Sequence, residues 1–308
     1  MGALEAGRAA RGRADVYHAP HVTIPLGFDG PLVTTVHDLI PLLHPETMLS
    51  GPRRSLFRAV VREAVRRSAA ILCDTRFAAS TLYEAGFQPK SLTVIPPGVG
   101  EEFRPQTKDS ITAVRCVYGL DRGYILWAGA FRPHKDVATL VRAYASLPVE
   151  VRATCDLALA GDPSTPYGNH IRELITKLLP EEAQRVRFLG FVENAHLPGL
   201  YAGATVFAFP SLTEGFGLPP LEAAGCCTPI IATDAPPMPE VLAEGALYFG
   251  PGNHQELAML LEELVSKQRL RKAVVGRALA RRGCFHWANV IQEMVKAYRL
   301  ASSTHTNQ

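Results

Sequence analysis

The sequence contains no run of 18 or more apolar residues, which excludes a bilayer-spanning helix. Its formal net charge of +3 is too small to argue for nucleic acid as a partner, and it leaves room only for peripheral contact with an anionic membrane. Six cysteines, Cys73, Cys116, Cys155, Cys226, Cys227 and Cys284, show no C-x-x-C or Cys/His metal spacing. Most lie in apolar runs, so they read as reduced core residues of a cytosolic protein. Met1 to Ala14 is made largely of Ala, Gly and Arg and has no apolar h-region, which excludes a secretory signal; a disordered leader is expected there. No D-x-D triplet occurs anywhere in the chain.

What is present is an ordinary globular composition, 47% hydrophobic and 20% charged over 308 residues, long enough for two domains. Apolar runs alternate with helix-patterned stretches in the manner of βαβ units. In the first part, strands are expected near Val16–His18, over Pro31–Val36, Ala69–Cys73 and Ser91–Ile95, with helices over Arg53–Arg67 and Arg76–Ala85. Glu101 to Arg122 reads as a polar, proline-containing connector. The second part starts afresh at Tyr124–Gly129 and continues with strands at Asp156–Ala160, Val186–Phe191, Val206–Phe209, Ile230–Thr233 and Ala246–Phe249. Asp136 is placed to cap the helix after the first of these. Amphipathic helices follow over His254–Ser266, Arg269–Arg281 and Trp287–Leu300, and the polar tail from Ala301 to Gln308 is expected to be disordered. The domain division is 1–105, 106–284 and a final helix with its tail over 285–308.

The richest stretch runs from Pro210 to Gly225. It follows the apolar strand Val206–Phe209 and enters a helix, the junction at which open α/β sheets hold ligands and where unpaired N–H groups meet anions. Glu214 and Glu222 bracket Gly215 and Gly217, which let the backbone come close to a ligand. Taken alone, Glu214 is a helix-entry acid and Glu222 a solvated helix residue. Similarly, Arg132 and Lys135 in isolation are a solvated basic turn, and His37 with Asp38 closes a strand-to-loop turn.

These residues gain weight together. Glu214 to Glu222 resembles the E-x7-E element of the retaining glycosyltransferases of family 4. Val36 to Pro41 (V-H-D-L-I-P), Val94 to Val99 (V-I-P-P-G-V) and the R-x-x-K of Arg132 and Lys135 after Gly129 resemble further elements of that family. The resemblance implies an α/β chain of the GT-B fold, with two Rossmann-like doubly wound domains. The amino-terminal domain is expected to be incomplete, because the opening strands and the acceptor-side Gly-rich loop have no counterpart before Asp15.

The resemblance also implies roles. Glu222 would accept hydrogen bonds from ribose hydroxyls, and Glu214 with the amides of Gly215, Phe216, Gly217 and Leu218 would hold sugar and diphosphate. Arg132 and Lys135 would offset the charge of the departing diphosphate, His37 would contact the transferred sugar, and Gly129, Phe191 and Val192 would line the nucleotide site. Phe191 reads equally well as plain core. The lack of a D-x-D agrees with a fold that manages this charge without a metal or other cofactor. The expected activity is retaining transfer of a hexose from a nucleotide-diphosphate sugar to a glycan or lipid-linked acceptor. The run His37 to Glu46 tilts the donor towards GDP-mannose, and a cytoplasmic location, at the membrane face or free of it, follows. An impaired nucleotide-sugar-binding chain and a nucleotide-sugar epimerase of the same design are the alternatives.

Overall fold

The structure, a computed structural model, describes residues 9–10, 12–43 and 51–306. The leader expectation therefore falls largely outside the described residues, as do positions 44–46 of the run that favours mannose. Contacts divide the chain into two units, Met1–Gly98 with Glu214–Phe216 and Phe285–Gln308, and Val99–Thr213 with Gly217–Cys284. The division falls between Gly98 and Val99, where composition puts it at 105/106. Phe103 of the connector is buried edge-on against Tyr201, with ring centroids 5.9 Å apart, and so belongs with the second unit.

The first unit holds a parallel sheet of β1 (Tyr17–Ala19), β2 (Leu32–Val36), β3 (Ala70–Cys73) and β4 (Leu92–Val94), in that spatial order. Every residue of β2 and β3 is buried, as a sheet covered on both faces requires. The two-residue period sorts their side chains. Leu32, Val36, Ile71 and Cys73 join α2 (Pro52–Arg67) and α3 (Arg76–Glu84) in one core. Val33, Ala70 and Leu72 face the other way, onto α13 (Trp287–Thr306). The α13 stripe of Val290, Met294, Ala297, Tyr298 and Ala301 recurs at helical spacing, and it carries the helix past the expected end at Leu300. Ala301, with 1% of its surface exposed, is core, and the helix runs on to Thr306, so the expected disorder from Ala301 is corrected.

The second unit is a six-stranded parallel sheet in the order β10 (Leu247–Phe249), β9 (Ile230–Thr233), β8 (Val206–Phe209), β5 (Gly123–Ala128), β6 (Cys155–Ala160), β7 (Val186–Gly190). The chain winds outward from β5 to β7, returns to β8 beside β5, and winds outward again to β10, which makes the fold doubly wound with a switch point between β5 and β8. Helix α4 (Lys108–Val117) lies inside the expected connector. Its one fully buried residue is Val114, packed over Gly199, and with Ile111 and Tyr118 it makes an amphipathic stripe at helical spacing, which corrects the reading of this stretch as connector alone. Asp136 caps α5 (Val137–Ala145) as expected, accepting from the Thr139 amide at 3.4 Å. All six cysteines are free, but Cys116 and Cys284 are exposed, which corrects their reading as core. Among the described residues no helix is long and apolar enough to cross a membrane.

Candidate functional site

The switch point puts the loop after β5 beside the loop after β8, and the Leu212 amide donates to the His134 carbonyl at 2.8 Å to tie them together. A cavity of about 540 Å³ opens at these strand ends. Gly129, Arg132, Phe191, Val192, Tyr201 and Glu222 line it, so five of the sequence-predicted residues meet there. Arg132 is exposed and its guanidinium has no protein partner among the described residues. Phe191 is 79% exposed, which removes the reading as core, whereas Val192 is buried. Lys135 is not among the lining residues; its ammonium lies over the Phe209 ring, 5.8 Å from the centroid. Asp162 accepts from the Ser164 amide at 2.9 Å and is a turn residue.

Glu222 projects from α9 (Leu218–Gly225). The Tyr201 hydroxyl, on α8 (Leu197–Gly203), donates to its Oε2 at 2.9 Å. Burial pushes the Glu222 carboxyl above the usual carboxylate range; the Tyr201 hydrogen bond pulls the other way, and the nearby Glu102 charge adds to the rise. The local sequence gave no sign of this tyrosine. Ser211 and Thr213, between β8 and α9, are buried and neither hydroxyl has a partner among the described residues, but neither lines the cavity.

Residues 214–216 group with the first unit, so the two glutamates of the motif belong to different units. Glu214 is buried. The Gly215 carbonyl accepts from Thr75 Oγ1 at 3.2 Å, and a Cβ at Gly215 would stand 2.9 Å from the His37 carbonyl oxygen, so only glycine fits this approach. The Phe216 ring is buried edge-on against Phe285, with centroids 5.6 Å apart, so its side chain is taken up in packing. Gly217 has φ of +90°, a conformation L side chains avoid, and starts α9. Pro219 and Pro220 remove two amide donors from the first turn of α9.

His37, at the end of β2, does not pair with Asp38. Asp38 accepts from the Ile40 amide at 2.9 Å and starts the short helix α1 (Ile40–Leu43). The partner of His37 is Asp74, whose Oδ2 lies 2.7 Å from Nδ1, while Nε2 lies 2.8 Å from the Pro20 carbonyl oxygen. A carboxylate and a carbonyl only accept, so both ring nitrogens donate and His37 is an imidazolium. The Asp74 hydrogen bond raises its pKa above the usual histidine value; partial burial opposes this, and the Asp74 charge and the Pro20 carbonyl add to it. The stability this pair contributes is complete below about pH 6.5, where unfolded histidine is also protonated, and it is lost as pH rises through the raised folded value. Thermal unfolding of Asp74→Asn should therefore lie furthest below the parent at mildly acidic pH and converge on it as pH rises. A gap that does not change with pH would refute the imidazolium.

A second cavity, also of about 540 Å³, lies in the first unit beside Leu32, Arg67 and Ala301. Its arginine is already committed, since Arg67 donates to the carbonyls of Pro25 at 3.1 Å and Phe28 at 2.9 Å. Among the described residues no three His, Cys, Asp or Glu side chains cluster as a metal site.

Among solved structures, HepE from Anabaena, crystallised in complex with UDP and glucose, superposes with a TM-score of 0.81 over 95% of this chain and 80% of its own, at 22% identity. The fold is thus of the GT-B kind, two parallel α/β sheets with flanking helices; of the described strands only those of the second unit are doubly wound, the first sheet running in the single direction β1 to β4. Residues 118–280 match the family described as Glycosyl transferases group 1, and residues 4–103 match Glycosyltransferase Family 4. The first match covers more than half of the chain, and the chain belongs to the glycosyl transferases group 1. The O-antigen chain mannosyltransferase B of Escherichia coli is 28% identical over 293 residues, 92% of this chain and 74% of that protein. The serotype-specific mannosyltransferase WbdA of Escherichia coli is 29% identical over 280 residues, 89% of this chain but only 34% of its own length.

Proposed function

We propose that the chain transfers a hexose, with mannose favoured, from a nucleotide-diphosphate sugar to a hydroxyl of a glycan or lipid-linked acceptor, with retention at the anomeric carbon and without a metal. The observation that carries this is the second-unit cavity: at one switch point it holds a carboxylate with an open oxygen and an arginine with no protein partner. Those are complementary handles for a ribose and for a diphosphate. Membership of the family supports the reaction class, and the two mannosyltransferase relatives favour mannose as the sugar; the donor proposed is GDP-mannose.

Glu222 accepts from the ribose hydroxyls, Val192 and the exposed ring of Phe191 border the base, and Gly129 leaves room for the diphosphate. Arg132 and Lys135 stabilise the charge that develops as the bond from the anomeric carbon to the diphosphate breaks. The acceptor oxygen forms its bond to the same face of that carbon, and its proton passes to the departing diphosphate oxygen, so no protein base is required. Towards the sugar, Glu214 and the amides of Gly215 to Leu218 supply hydrogen bonds. His37 supplies an N–H that must leave the Pro20 carbonyl to do so.

Calorimetric titration of the chain and of Glu222→Ala with GDP, UDP and ADP tests the donor half. One nucleotide should bind saturably, and the substitution should weaken it about tenfold, the worth of hydrogen bonds to a charged acceptor. Unchanged affinity in Glu222→Ala would remove the ribose role.

A further inference from the structure

We propose that Tyr201 is a positioning residue that fixes which oxygen of Glu222 faces the nucleotide, and so sets discrimination between ribose and deoxyribose. This rests on the reading of Glu222 as the ribose acceptor. Tyr201 has 1% of its surface exposed and is held from three directions. Its ring meets Phe207 edge-on at 5.3 Å and Phe103 at 5.9 Å, and its carbonyl accepts from Thr228 Oγ1 at 2.6 Å. A ring so confined delivers its hydroxyl to one place, and that place is Glu222 Oε2 at 2.9 Å.

The other oxygen, Oε1, has no hydrogen-bond partner among the described residues, and Glu222 lines the cavity. The result is a division of labour within one carboxylate, with Oε2 held by the protein and Oε1 presented to a ligand. A flexible glutamate loses rotamer entropy on binding, whereas one pinned by a buried tyrosine has already lost it.

The test is isothermal titration of the full chain with GDP, UDP and ADP and with their 2′-deoxy counterparts. The parent should prefer the ribonucleotide about tenfold, the effect of one hydrogen bond to a charged group. Tyr201→Phe keeps the ring contacts and removes only the hydroxyl; the preference should fall to about twofold or less, and adding it to Glu222→Ala should change nothing further. Full preference in Tyr201→Phe, alongside its loss in Glu222→Ala, would overturn the positioning role and leave the ribose role standing. No effect of Glu222→Ala on the preference would overturn both.

Discussion

Arg132→Ala is expected to lower turnover of the donor about a hundred- to a thousandfold, the loss that follows removal of one preorganised donor from a developing charge. The same substitution should weaken nucleoside diphosphate binding by much less, because the charge on the diphosphate grows as the glycosidic bond breaks and the interaction is strongest at that point. Folding should be nearly untouched, since the side chain is exposed and has no protein partner among the described residues. Arg132→Lys gives the finer test. A lysine keeps the charge and loses the planar fork, so its turnover should fall between the parent and the alanine variant if bidentate contact matters. The measurement is release of nucleoside diphosphate from the donor, with single-turnover analysis to separate chemistry from binding. Turnover within about twofold of the parent in Arg132→Ala would remove this residue from the reaction.

Strands were legible where burial on both faces makes a continuous apolar run. Val206–Phe209 and Ile230–Thr233 were read to the residue, because a central parallel strand tolerates little else. Candidate residues stood out where they share one strand-to-helix junction, as Arg132 does with Gly129 and Glu222 with Gly217. The site was not legible where a partner arrives from elsewhere in the chain. Asp74 reaches His37 only because β3 lies beside β2, and the neighbour in sequence, Asp38, is occupied with the Ile40 amide. Tyr201 reaches Glu222 only because their two helices pack together in the second unit. Helix α4 was overlooked for a different reason: its Thr107 cap and the helical spacing of Ile111, Val114 and Tyr118 sit inside a polar, proline-flanked stretch that reads as a connector. The helical course of α13 beyond Leu300 depends on Ala301, a small residue whose burial only the sheet beneath it reveals. Local pattern thus identified the elements and the loops, while pairings across sequence had to come from the fold.

Gly161→Val is expected to unfold the second unit at a much lower temperature and to destroy the cavity with it. Gly161 follows β6 directly with φ of +144°, outside the range a β-branched residue adopts, and a Cβ there would collide with the Gly129 carbonyl oxygen. That oxygen cannot swing aside as the end of a long side chain would, because Gly129 is itself held: its amide donates to the Ala160 carbonyl at 3.0 Å. On the other side the Gly161 amide donates to the Gly190 carbonyl at 2.8 Å, so the ends of β5, β6 and β7 meet through three glycines. Relieving the collision breaks at least one of these bonds and leaves a backbone group unpaired. Strain and lost pairing together should cost about 3–5 kcal/mol, a fall in melting temperature of roughly 10 °C for a unit of this size. Gly190→Ala separates the two contributions. Gly190 also has a left-handed φ, +68°, but a Cβ there meets nothing within 4 Å, so only backbone strain remains, about 1–2 kcal/mol. If the two variants melted together, collision with the Gly129 carbonyl would not be what reserves position 161 for glycine. If Gly161→Val alone melts early, the strand ends beneath the cavity stand as close as backbone can come, and the room for a diphosphate above them depends on side chains that are missing.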